Sequence, residues 1–137
     1  MDNDKILNVE IITPQKTIYS GKAISVAVPG SQSPFQVLYN HAPIVTSLDT
    51  GIIKIIDEDK NEKYFASKNG FAEVRKNLVS ILVDNAEDGA KVDLSIAKNL
   101  LDIERKKLKE SDNKNEIENL KNNVKYAEFL IKASERS

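Results

Sequence analysis

Few side chains in this 137-residue chain are equipped for chemistry. His41 is its only histidine, and it contains no cysteine. A zinc-type centre draws three or four ligands from such residues, so one histidine cannot build it, and a Ser-His-Asp triad would have His41 alone to draw on. We therefore read His41 as a hydrogen-bonded loop or interface residue. Asp49, Glu73 and Asp84 are carboxylates that can move protons, yet each falls in a turn or at a strand end with no second catalytic element beside it. No glycine-rich phosphate loop is present. What remains is a group of cations in the last third, Arg105, Lys106, Lys107, Lys109, Lys121, Lys125 and Lys132. Taken alone they describe a solvated face with local Glu–Lys pairs, each worth about 0–1 kcal/mol.

Charge does not turn that group into a nucleic-acid site. Residues 1–89 carry 9 Lys+Arg against 12 Asp+Glu, and residues 90–137 carry 11 against 9, leaving the two parts at −3 and +2. Nucleic-acid binding needs a concentrated basic face, which this distribution lacks. No apolar run approaches the roughly 20 residues that cross a bilayer. The opening Met1-Asp2-Asn3-Asp4-Lys5 is acidic and polar, unlike a signal or transit peptide, which leads us to expect an unprocessed protein of a reducing compartment.

The elements that position these residues change character at Gly89. All five glycines and all four prolines lie at or before it, and none follows. Turn-makers punctuate strands, and their absence permits long helices. Leu7, Val9 and Ile11 alternate with Asn8 and Glu10, and Ile24, Val26 and Val28 repeat that period, which Pro29-Gly30 ends. Ile52–Ile56 and Lys63–Ala66 flank a polar hairpin loop at 57–61. Asn69-Gly70 has the composition of a tight turn with positive φ at both centres, and Arg75-Lys76-Asn77 suggests another hairpin. The apolar run Leu78–Val83 is expected to be covered on both faces. This pattern predicts an antiparallel β-sandwich or flattened barrel over 1–87.

Residues 88–137 switch to helical period. Leu94, Ala97, Leu101 and Leu108, broadened by Ile96, Leu100 and Ile103, form one stripe, with Asp93 as N-cap. Asn113 stands three residues before Glu116 as a capping-box variant, and Ile117, Leu120, Val124, Ala127 and Ile131 form a seam. The class is therefore α+β, a sandwich followed by an antiparallel two-helix hairpin. Six asparagines in this hairpin are poor helix formers, each costing up to about 0.7 kcal/mol relative to alanine in a helix interior. Such a hairpin depends on its docking surface, and Asn85–Val92 is the expected hinge.

Val28-Pro29-Gly30, a polar loop, Val37-Leu38, His41-Ala42-Pro43 and Leu48 to Gly51 resemble one signature of the epsilon subunit of F-type ATP synthases. Asn69-Gly70-Phe71-Ala72-Glu73-Val74, Asn77 and Val83-Asp84-Asn85-Ala86-Glu87 resemble its second, in the same order and spacing. The resemblance implies a rotor component without an active site, holding the gamma subunit and resting on the c-subunit ring at the cytoplasmic face of a bacterial membrane. It also implies a helical arm that extends toward the alpha/beta catalytic ring and blocks ATP hydrolysis. His41, Ala42 and Pro43 match directly, and with Ser31, Gln32, Ser33, Pro34 and Phe35 they mark the implied gamma and c-ring contact. In that loop the glycine and acid pattern of relatives is missing, and Gln36 and Tyr39 also depart from it. The seven arm cations would face an acidic segment of a catalytic subunit. Some relatives bind ATP through an Ile-Asp-x-x-Arg-Ala motif, but the corresponding Val92-Asp93-Leu94-Ser95-Ile96-Ala97 has isoleucine in place of arginine, so no nucleotide cofactor is expected. The competing reading is a non-rotary adaptor that recruits a partner through its hairpin.

Overall fold

A computed structural model describes residues 5–137, so Met1–Asp4 and most of the polar N-terminal stretch lie outside it. Seven strands, β1 (Leu7–Ile12), β2 (Thr17–Val28), β3 (Phe35–Val37), β4 (Ile44–Leu48), β5 (Gly51–Asp57), β6 (Glu62–Arg75) and β7 (Leu78–Asp88), precede a short 3-10 turn at Gly89–Lys91. Two helices follow, α1 (Leu94–Glu110) and α2 (Lys114–Arg136). The strands pair in the circuit β1–β7–β6–β5–β2–β1, with β3 on β2 and β4 on β6. Its closure makes a flattened barrel of two layers. Every pairing is antiparallel except β1 with β7, which runs parallel, a departure from the all-antiparallel expectation.

Long strands carry the chain between layers. The first half of β6 pairs with β5 (Gly51↔Ser67) and its second half with β4 (Leu48↔Gly70), so Asn69-Gly70 marks a corner and not the expected tight turn. Asn69 sits at φ 37°, and a side chain at Gly70 would collide with the Leu82 carbonyl, so glycine permits two strands to approach closely there. Inward-facing residues change parity at this corner, from Phe65 and Ser67 to Ala72 and Val74 on β6, and from Ala86 to Val83 and Ile81 on β7. The tight turn lies instead at Lys76-Asn77, with φ values of 49° and 64°. Positive φ at both centres gives a hairpin the twist its strands require. The 57–61 loop forms as predicted, Asp57 N donating to Asn61 O at 2.9 Å.

The sandwich core holds Leu7, Val9, Ile11, Val26, Val28, Ile53, Ile55, Phe65, Val79 and Ile81, all buried. On β2 a register shift between Ala23 and Ser25 puts Ala23 in the core and leaves Ile24 only half-buried. The run Leu78–Val83 is covered on one face alone, with Leu78 and Leu82 exposed. That corrects the expectation of two covered faces.

Both helices start at the predicted caps. Asp93 accepts from Ile96 N at 3.2 Å, and Asn113 accepts from Asn115 N at 3.0 Å and Glu116 N at 3.4 Å. The α1 stripe of Leu94, Ala97, Leu101 and Leu108 faces inward with buried Glu104, but Ile96 and Ile103 point outward and do not broaden it. On α2 the seam is half the story. Leu120 and Ala127 are buried on it, while Tyr126, Leu130 and Ala133 form a second apolar face.

Candidate functional site

The sandwich has two outer faces with opposite fates. On one, α2 lies across β5 and β6 and buries a small cluster of Ala66, Ala97, Tyr126, Leu130 and Ala133, flanked by Ile52, Tyr64 and Phe129. Three of its five buried members are alanines, which let the helix come close, while Tyr126, Leu130 and the flanking side chains supply the larger apolar contacts. Gly89 makes that approach possible, since a side chain there would strike the Ala133 backbone carbonyl.

Polar contacts line the rest of this seam. Thr50, buried at the corner between β4 and β5, lies 2.7 Å from Asn122 Oδ1 on α2. Asn122 Nδ2 donates to Asn69 Oδ1 at 2.9 Å, and Asn69 N donates to Thr50 Oγ1 at 3.3 Å. Beside this ring, Lys68 Nζ donates to Asn123 Oδ1 and Asn123 Nδ2 donates to Glu104 Oε2 at 3.3 Å, tying sheet, α2 and α1 together. One buried group is not satisfied. Among the described residues Tyr126 Oη alone is buried without a hydrogen-bond partner. Burial, and secondarily the charge of Glu87, raises its pKa far above the usual tyrosine range. An unpaired buried hydroxyl costs about 1–3 kcal/mol.

The other outer face is bare. Cross-strand rows place Val45 beside Glu73 and Ser80, and Phe71 beside Ser47 and Leu82. Val45 is 69% exposed, Phe71 60% and Leu82 50%, with Leu78 also open. Contiguous large apolar side chains in water mark a contact surface for another molecule. The sequence signal for it was available in Leu78–Val83, whose apolar residues occupy both faces of one strand.

The loop residues singled out from sequence gather at one end of the sandwich. Ser31, Gln32, Ser33, Pro34, Ala42 and Pro43 are exposed. Ser31 Oγ donates to Asp49 Oδ1 at 3.0 Å, and Ser31 N to Ser47 O at 3.0 Å, fixing the first loop against β4. Half-buried Phe35 and His41 join the two loops, their rings 6.1 Å apart, and His41 Nδ1 donates to Ala42 O at 2.7 Å. Asn40 N donates to Asn77 Oδ1 at 2.7 Å, bringing in the β6–β7 turn. Leu38 and Tyr39 are exposed beside these loops. The carboxylates Asp49, Glu73 and Asp84 are all exposed on different elements.

The arm cations are all exposed. Arg105 lies 3.6 Å from Glu128, Lys107 is 3.8 Å from Glu104, Lys121 is 3.8 Å from Glu118, and Lys132 sits 5.3 Å from the Phe129 ring centre. Lys106, Lys109 and Lys125 also face solvent, and Lys132 lies nearly two turns beyond Lys125.

Residues 6–89 match the family model of the ATP synthase delta/epsilon chain β-sandwich domain. The chain belongs to the ATP synthase epsilon-chain family. It is 41% identical over 109 residues to the ATP synthase epsilon chain of Leptospira borgpetersenii, covering 80% of this chain and 84% of that one. The epsilon chain of a Synechococcus strain is 36% identical over 129 residues, covering 94% and 93%, so epsilon-chain similarity runs through both sandwich and hairpin. A chain in the Euglena gracilis mitochondrial ATP synthase structure (OSCP/F1/c-ring, rotational state 1) superposes with a TM-score of 0.77 at 18% identity, over 93% of this chain and 81% of that one. That likeness shows that the fold is shared.

Proposed function

We propose that this chain is the epsilon subunit of an F-type ATP synthase rotor, linking the c-subunit ring to the gamma subunit and restraining ATP hydrolysis through its helical arm. The observation carrying this reading is the asymmetry of the sandwich. A bare apolar face suits lasting attachment to gamma, while the opposite face holds its own helices through a small apolar cluster rimmed by amide hydrogen bonds. The end formed by Ser31–Phe35 and His41–Pro43, tied to the β6–β7 turn beside Leu78 by the Asn40–Asn77 hydrogen bond, is where ring and gamma contacts would converge. We read the chain as non-catalytic, since Asp49, Glu73 and Asp84 are solvated and separate. We assign it to the complex at the cytoplasmic face of a bacterial membrane. Nucleotide binding to the hairpin is not part of this function, because the motif arginine is replaced by Ile96, which is 67% exposed; saturable ATP binding in calorimetry would overturn that view.

The extended arm would meet the alpha/beta catalytic ring through Arg105, Lys106, Lys107 and Lys109, with Lys121, Lys125 and Lys132 along α2. Replacing Lys106, Lys107 and Lys109 together by glutamate is expected to raise ATP hydrolysis of the reconstituted complex severalfold. Unchanged hydrolysis would remove these lysines from the contact. Gamma and c-ring recovery with the tagged chain separates the rotor from the adaptor reading, under which other partners would be recovered.

A further inference from the structure

We propose that Thr50, Asn69 and Asn122 form a partner-exchanging latch that lets α2 leave the sandwich without stranding a buried polar group, and that it works against the unpaired Tyr126 hydroxyl within the same seam. The inference rests on the reading of the arm as mobile and names the residues that set its balance.

The ring of donors closes on itself. Thr50 Oγ1 donates to Asn122 Oδ1, Asn122 Nδ2 to Asn69 Oδ1, and Asn69 N to Thr50 Oγ1. Each bond polarises the next, so the three act as a unit. Thr50 has one hydroxyl proton but two acceptors in reach, since Asn69 Oδ1 lies 2.5 Å away. When α2 departs, that proton turns from the arm to Asn69, a partner within the sandwich. A buried group left without a partner makes separation costly, and this arrangement removes that cost on the sandwich side. Asn122 meanwhile becomes solvated.

While α2 is docked, the bonds that join Thr50 and Asn69 to Asn122 still hold it; Tyr126 acts in the opposite sense. Its ring packs in the cluster with Ala66, Leu130 and Ala133, and its hydroxyl is denied both water and a protein partner. Release of α2 exposes that hydroxyl to water and recovers the missing bonds. Docking is therefore favoured by the latch and opposed by one oxygen atom.

The test is amide hydrogen exchange on the full chain, comparing α2 amides with those of β7. Tyr126→Phe keeps the ring and removes the orphan oxygen, and it is expected to slow α2 exchange about tenfold. Asn122→Ala and Thr50→Val should each speed it about tenfold without changing β7, and the double variant should add little to either single, as members of one ring do. Asn119→Ala gains the same helix propensity outside the latch and provides the reference. Unaltered or faster exchange in Tyr126→Phe, or Asn122→Ala matching Asn119→Ala, would overturn the latch while leaving a mobile arm intact. Exchange of α2 no faster than β7 in the unmodified chain would overturn both latch and mobile arm.

Discussion

The two outer faces of the sandwich differ in what covers them and in how hard that cover is to remove. The face under α2 presents Ile52, Tyr64 and Ala66 to a helix surface of Leu130, Ala133 and Tyr126, with amide hydrogen bonds at its margin. The bare face presents Val45, Phe71, Leu78 and Leu82 to solvent. Large apolar side chains release much free energy when covered and have no alternative partner in water, which suits a lasting contact. The α2 contact has a smaller cluster rimmed by amides, and those amides find replacement partners in water when the helix leaves. The same barrel thus carries one face suited to fixed attachment and one suited to exchange.

The largest effect is expected on the bare face. Phe71→Asp combined with Leu82→Glu should weaken binding to gamma by on the order of a hundredfold or more, the scale of two central anchors lost. Because both side chains are exposed in the free chain, its melting temperature should change little. A large drop in melting temperature would show that they serve the fold and not a partner.

A smaller effect, on the opposite face, comes from Gly89→Ala. The added methyl meets the Ala133 backbone, so α2 must shift away, an overpacking cost of about 1–3 kcal/mol. Faster exchange of α2 with unchanged exchange in β7 is the expected signature. Global unfolding at lower denaturant would instead show that arm and sandwich form one cooperative unit.

The smallest effect is a pH dependence confined to the arm. Burial and Glu87 raise the Tyr126 pKa in the docked state, so there the neutral form is favoured. Below about pH 10 the hydroxyl is neutral whether α2 is docked or released, and pH changes nothing. Above it the released arm ionises while the docked arm does not, so docking is lost progressively, about tenfold per pH unit. The difference between the unmodified chain and Tyr126→Phe, followed by tyrosinate absorbance and α2 exchange from pH 9 to 11, isolates this term. Identical profiles would contradict it.

Much of the fold is legible from local chemistry. The alternation at Leu7–Ile11, the polar 57–61 loop, and the caps at Asp93 and Asn113 all specify their elements through nearest neighbours. The turn composition of Asn69-Gly70 serves a different purpose, the close passage of β6 against β7 at a corner where both strands change parity. Tertiary context decides that, not local propensity. The run Leu78–Val83 misled for a related reason. Apolar residues reserved for another molecule look, in sequence, like residues reserved for the core.

The site was legible in part. His41 and Phe35 do bring the two predicted loops together. The latch was hidden because Asn122 and Asn123 read only as weak helix formers, their partners Thr50, Asn69 and Lys68 being more than 50 residues away. Tyr126 was hidden because nothing local distinguishes a buried hydroxyl from a solvated one.

The most direct test of an exchangeable arm is a reversible staple between the sandwich and α2. Thr50→Cys with Asn122→Cys joins short side chains that already touch, in a chain with no other cysteine. In the reconstituted complex, the oxidised staple should hold the arm down and give high ATP hydrolysis, and reduction should restore inhibition. Equal hydrolysis in the locked and reduced states would contradict an arm that works by leaving the sandwich.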